Sequence, residues 1–273
     1  MAAFKLFQGM PIIDDETIND PIIRDSLFLP ARGAVQRDYT VTPKEMFSPP
    51  NEMEVVPLSD WDGIIERLDK NKAWLDDIGH EIETLDQGPN GYCWGHSITH
   101  AAMFSRAVAG LKYIPLSAYS ICATIKKGAN EGGWCGLAGN FLREKGCVPQ
   151  SKWPQGDRNY RNYTSQDVWD LAARYKIDAD WADLTLAPYD QNLPLGHVAS
   201  CLFRGEPVAV DFNWWAHSVC AVRIVRIEAG SYALKIKNSW SKSWGENGYG
   251  LLRGSQSVPN GAVAIRRMRA VAA

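Results

Sequence analysis

Near Gly205 the chain changes its hydrophobic period, and that change limits the folds open to it. Before this point apolar residues recur at three- and four-residue spacing, the pattern of amphipathic helices. Trp61, Ile64, Ile65, Leu68, Leu75 and Ile78 form one such stripe, with Ser59 available as N-cap and Gly79 as stop, so a helix is expected near 60–78. Further helices are expected from about Cys93 to Val108, Leu137 to Lys145, Ser165 to Tyr175 and Leu195 to Phe203. After Gly205 the segments Pro207–Phe212, His217–Glu228, Tyr232–Asn238, Gly248–Arg253 and Ala262–Met268 are short, apolar or β-branched, and separated by Gly, Ser or Asn. Those are strand signals. Helices first and strands second indicate an α+β architecture with segregated parts.

Proline and cysteine divide the chain a second way. Seven of the 15 prolines (11, 21, 30, 43, 49, 50 and 57) precede residue 58, and all six cysteines follow residue 92. Each proline removes a backbone donor and restricts its predecessor, so the first 57 residues are expected to be extended and irregular. Their apolar cluster, Ile22, Ile23, Leu27, Phe28 and Leu29, implies that they lie against a folded body. Residues 1–80 are therefore expected to form a Pro-rich extension with a helix near its end, and 81–273 the main domain.

The formal net charge of −2 argues against nucleic acid or an acidic membrane as the main partner. No apolar run approaches the roughly 20 residues that span a bilayer. The N-terminus, MAAFKLFQGMPIIDDE, lacks the apolar run and small-residue cleavage site of a signal peptide.

Chemistry first surfaces at Cys93. Gly88, Pro89, Asn90 and Gly91 break the chain before it and a helix follows, so backbone N–H groups and the helix dipole favour its thiolate. By position alone Cys93 reads more readily as one of six buried thiols than as a nucleophile. The string Gln87-Gly88-Pro89-Asn90-Gly91-Tyr92-Cys93-Trp94, however, resembles the nucleophile segment of the papain-like cysteine proteases, with Gln six before the Cys, Gly two before and Trp directly after. The resemblance assigns the oxyanion donors to the Gln87 side chain and the Cys93 backbone N–H.

A thiol nucleophile needs an imidazole base, and the base a group that orients it. His96 and His100 share a helix face, but no Cys, Asp or Glu on that helix completes a metal set, so packing is expected there and no metal. His80 precedes the nucleophile segment and His197 lies in an expected helix. His217 instead opens a strand, Ala216-His217-Ser218-Val219-Cys220-Ala221-Val222, and resembles the family's base segment, although the family usually has Asn or Asp where Ala216 stands. The run Asn238-Ser239-Trp240 through Trp244-Gly245 to Gly248-Tyr249-Gly250 resembles the family's third signature. By that resemblance Asn238 accepts the imidazole N–H and Trp240 shields the bond from water.

Glu131-Gly132-Gly133-Trp134 resembles the cleft wall on which an extended substrate pairs, with Trp134 beside it. Secreted relatives often carry a disulfide between the positions of Asn90 and Asn130; both cysteines are missing here, which points to a reducing compartment, cytoplasmic or within a viral or other large assembly. The resemblance implies a two-lobed fold, a helical lobe beside an antiparallel β-barrel-like lobe, with the irregular N-terminal extension added. It further implies a peptidase acting on polypeptide through Cys93, His217, Asn238 and Gln87, its Cys–His pair resting as thiolate and imidazolium, with substrate contacts at Gly132, Gly133, Trp134 and Trp240 and no cofactor. Two alternatives stay open: a papain-fold binding or structural protein of a large assembly, and another acyl transfer such as amide hydrolysis, transpeptidation or removal of a ubiquitin-like tag. The extension is readable as an inhibitory pro-segment in the cleft, or as an arm that wraps the fold or binds a protein partner.

Overall fold

The computed structural model describes residues 6–28, 32–36, 55–177, 181–184, 194–266 and 268. Its strands are β1 (Leu6–Phe7), β2 (Met10–Ile13), β3 (Trp181–Asp183), β4 (Val208–Phe212), β5 (His217–Glu228), β6 (Ser231–Lys237), β7 (Tyr249–Arg253) and β8 (Gly261–Ile265). They lie in the order β1-β2-β7-β6-β5-β4-β8-β3. The helices are α1 (Pro21–Leu27), α2 (Trp61–Asn71), α3 (Leu75–Ile78), α4 (Cys93–Val108), α5 (Ala118–Ile125), α6 (Cys135–Glu144), α7 (Gln166–Ala172) and α8 (Leu195–Phe203). The α+β class read from the change of period is the class observed. The barrel-like lobe is a sheet that does not close, and it is mixed because β2 joins parallel to β7, pairing Ile12 with Leu251 and Ile13 with Leu252.

That edge strand comes from the segment expected to be irregular. Gln8 and Gly9 both take positive φ (51° and 81°), the conformation of a two-residue hairpin turn, and fold β1 back on β2. Asp20 then caps α1 through Ile22 N at 2.9 Å, with Pro21 at the first helical position, and Ile23 and Leu27 are buried. Pro30, Pro43, Pro49 and Pro50, and Leu29 of the apolar cluster, lie outside the described residues.

The helix expected near 60–78 is two. Lys72 adopts the left-handed conformation (φ 48°, ψ 48°) and ends α2, and Trp74 turns its indole back to Asp69 at 2.8 Å before α3 begins. Ser59 is not the N-cap: a short 3-10 turn over Leu58–Asp60 precedes α2, and the Ser59 hydroxyl donates to Asp60 instead. Both helices are tied to the sheet by ion pairs, Arg223 meeting Asp69 of α2 at 3.4 Å and Asp76 and Asp77 of α3 at 2.9 and 2.7 Å.

Helix α4 is buried from Cys93 through Arg106 and packs against β4, β5, α5 and α6. Its small residues permit that enclosure. At Gly95 an added Cβ would lie 2.1 Å from Cys122 Sγ, so α5 can approach only over glycine. Strand register then sets the site. The β4–β5 hairpin pairs Phe212 with His217, and β5–β6 pairs Cys220 with Lys237. Continued past Lys237, that register carries residues 238–240 alongside 217–219. Among the described residues no helix is long and apolar enough to cross a membrane.

Candidate active site

Cys93 is the first residue of α4 and is fully buried. His217 is the first residue of β5, reached through a turn in which Ala216 takes φ 49°. Its Nε2 lies 2.7 Å from Asn238 Oδ1. The Asn238 amide orientation follows from a second bond, since its Oδ1 also accepts the Ser239 N–H at 2.7 Å. Nε2 therefore carries the imidazole proton and Nδ1 is the basic nitrogen. Trp240 stacks on the ring, centroids 4.2 Å apart and planes inclined by 27°, while Trp215 meets it edge-on at 4.7 Å. The indole expected to shield the His217–Asn238 bond thus lies over it. Trp240 is itself buried.

Gln87 joins this group through Ser239. The Ser239 hydroxyl donates to Gln87 Oε1 at 2.6 Å, Gln87 N donates to Ser239 O at 2.9 Å, and Gln87 Nε2 donates to Asn90 O at 2.7 Å. The loop before the nucleophile and the loop after Asn238 are therefore one hydrogen-bonded unit. Asn130 ties down the loop before Cys93: its Oδ1 accepts Gly91 N at 2.7 Å and its Nδ2 reaches Pro89 O at 3.4 Å, holding both neighbours of Asn90. All six cysteines are free thiols, so Cys135 and Cys147 are not bridged.

The opposite wall is occupied. Residues 32–36 of the leader cross the site as a strap: Ala34 N donates to Ala216 O (3.1 Å), Val35 N to Gly133 O (2.9 Å), and Gly133 N to Gly33 O (2.9 Å). Arg32 adds a bond to Trp215 O at 3.3 Å. Only glycine fits at 33, where a Cβ would sit 2.0 Å from the Gly91 carbonyl oxygen. Gly132 likewise faces Gly33 O, and Trp134, half-buried, occupies the N-cap position of α6. The extension is readable from sequence as a segment lying in the cleft, but no periodicity or motif singles out Arg32-Gly33-Ala34-Val35 as the part that crosses it.

Burial sets the charge state. It pushes the Cys93 thiol up to about 11, against the opposing backbone N–H groups of Ser218 and Gly33, which reach the sulfur. It pushes the His217 imidazole down to about 3, against the opposing Asn238 bond. Burial thus disfavours both the thiolate and the imidazolium, the charged forms expected for these two groups.

Of the remaining histidines, His96 and His100 are packing residues. His96 Nδ1 meets Tyr92 O at 2.8 Å and His100 Nε2 accepts Leu85 N at 3.2 Å, both fully buried. His80 is exposed and His197 half-buried on α8. Among the described residues no group of three or more His, Cys, Asp or Glu is placed to hold a metal ion.

No protein-family model matches the chain. In sequence it is 28% identical over 197 residues to cathepsin B-like CP3 of Giardia intestinalis, covering 61% of this chain and 62% of that protein. The chain spans about half to three-fifths of the curated relatives it matches, 62% in one case and 52% in another. In fold it is similar to xylellain, a cysteine protease from Xylella fastidiosa, with a TM-score of 0.58 at 17% identity, covering 86% of this chain and 96% of that one. It is also similar to procathepsin L 3 of the Tenebrio molitor larval midgut, with a TM-score of 0.59 at 18% identity over 90% of this chain and 79% of that one. In sequence and in fold alike, the chain is thus similar to papain-like cysteine proteases.

Proposed function

We propose that the chain is a cysteine peptidase that hydrolyses peptide bonds through Cys93, His217 and Asn238, and that residues 32–36 hold it latent. The observation that carries this reading is the His217 Nε2–Asn238 Oδ1 bond of 2.7 Å under the Trp240 ring, which reserves Nδ1 for proton exchange with Cys93. In the first step the Cys93 sulfur bonds to the substrate carbonyl carbon, the C–N bond breaks, and the amine leaves with a proton from His217. Water then attacks the thioester, giving its proton to His217, and the acid departs from sulfur. The oxyanion is assigned to the Cys93 N–H and to Gln87 Nε2, whose two N–H groups are shared between it and Asn90 O. Gly133 pairs its backbone with the strap on both sides, the interaction an extended polypeptide substrate would make, with Gly132 and Trp134 beside it.

The test displaces the strap without removing the leader, because Ile13, Ile23, Leu27, Trp61 and Trp74 of the first 80 residues are buried in the core. Gly33→Val should cleave a peptide library, and adding Cys93→Ala should abolish cleavage. Cleavage that survives Cys93→Ala contradicts the reading. No cleavage in either chain supports a papain-fold binding protein, for which the strap lying across both cleft walls is the favouring observation.

A further inference from the structure

Asp211 is a buried carboxylate with no part in the reaction just described. It lies on β4 directly opposite Ser218 of β5, and the Ser218 hydroxyl donates to its Oδ1. Its Oδ2 accepts the backbone N–H of Cys135 at 2.9 Å, the first residue of α6. Ser218 directly follows His217, and Cys135 directly follows Trp134 of the cleft wall. One carboxylate thus ties the base-bearing strand to the helix that continues the opposite wall.

Ser218 is also a neighbour of the nucleophile, with its hydroxyl and its N–H both within reach of the Cys93 sulfur. A serine hydroxyl has one proton. The Asp211 charge itself opposes the thiolate; and with the serine proton on Asp211, the hydroxyl that would favour S⁻ as a donor is left as an acceptor from S–H.

We propose that Asp211, acting through Ser218, is a positioning residue for the nucleophile: it clamps the two walls of the cleft and fixes the Ser218 hydroxyl as an acceptor toward Cys93. This rests on the reading of Cys93 as the nucleophile. An Asn at 211 would reverse the pattern. Its Oδ1 would still accept Cys135 N–H, its Nδ2 would donate to Ser218 Oγ, and the serine proton would be released to the sulfur. The other titratable or charged groups around Cys93 and its base are His217 on β5, His96 on α4, Cys122 on α5 and Arg32 of the strap.

The test measures the pH dependence of Cys93 alkylation by iodoacetamide in the full chain, read by peptide mapping, with Cys147 as an internal monitor of unfolding. It does not require turnover, so its outcome is separate from whether peptides are cleaved. Asp211→Asn should lower the Cys93 midpoint by about one pH unit, and leave Cys147 protected. In a Ser218→Ala background the same change should move the midpoint by less than half as much. An unchanged midpoint in Asp211→Asn overturns the proposal, and an equal shift in both backgrounds overturns the route through Ser218. If Asp211→Asn exposes Cys147, Ser218→Ala alone decides, since it keeps the Asp211–Cys135 bond: a moved midpoint supports the proposal and an unmoved one contradicts it.

Discussion

Ala34 donates its backbone N–H to the carbonyl of Ala216 at 3.1 Å, so the leader is fastened to the residue immediately before His217. The strap is therefore joined by a backbone bond to the turn that leads into His217, and its hold can be loosened one bond at a time.

Ala34→Pro removes that donor. A neutral hydrogen bond contributes about 1 kcal/mol, so the strap should open about fivefold more often. The rate of Cys93 modification by iodoacetamide at neutral pH should rise by the same factor, and an unchanged rate would show that the bond does not hold the strap.

Three buried histidines make the fold acid-labile. Burial lowers His217 to about 3 and His96 to about 4, and holds His100 well below its ordinary value. Between pH 6.5 and those values the unfolded chain binds protons that the folded chain does not, so stability rises with pH across this window and is lost as pH falls through it. Each group contributes a slope of about 1.4 kcal/mol per pH unit. Urea midpoints measured from pH 6.5 down to 4.5 should fall steeply, and His96→Gln should flatten the slope by roughly one group's share. A flat profile for the unaltered chain would contradict the burial assigned to these rings.

Ala216 stands in a left-handed turn (φ 49°) where its Cβ is disfavoured. Ala216→Gly should stabilise the chain by about 0.5–1 kcal/mol, seen as a higher urea midpoint. A lower midpoint would mean the turn is not strained.

Asn130→Ala removes the acceptor of Gly91 N and the donor to Pro89 O. The cost should be about 1–2 kcal/mol, together with faster hydrogen exchange at Gly91 and Tyr92. Exchange unchanged at those amides would show that another contact holds the loop.

Much of the site was legible because its residues sit at fixed offsets within three short segments, each readable where it stands. Cys93 at a helix start, His217 at a strand start and Asn238 just past a strand are all placed by local pattern. Helix α4 and strand β5 begin and end at the residues the periodicity indicates. What escaped was non-local. β2 is four residues whose partner lies about 240 positions away, and its pairing leaves no mark on its own spacing. The strap is held by backbone bonds, which no side-chain pattern reports. The break at Lys72 interrupts a stripe that remains helical on both sides, so period alone joins α2 and α3. The shifts of Cys93 and His217 follow from burial among residues distant in sequence, which no local pattern reports.

An epoxysuccinyl peptide, incubated with the intact chain and with Gly33→Val and mapped by mass spectrometry, tests the proposal that Cys93 is a reactive nucleophile kept closed by the strap. Covalent label on Cys93, slow in the intact chain and fast in Gly33→Val, is the predicted result. An opened chain that leaves Cys93 unmodified, or carries label on another cysteine instead, would contradict it.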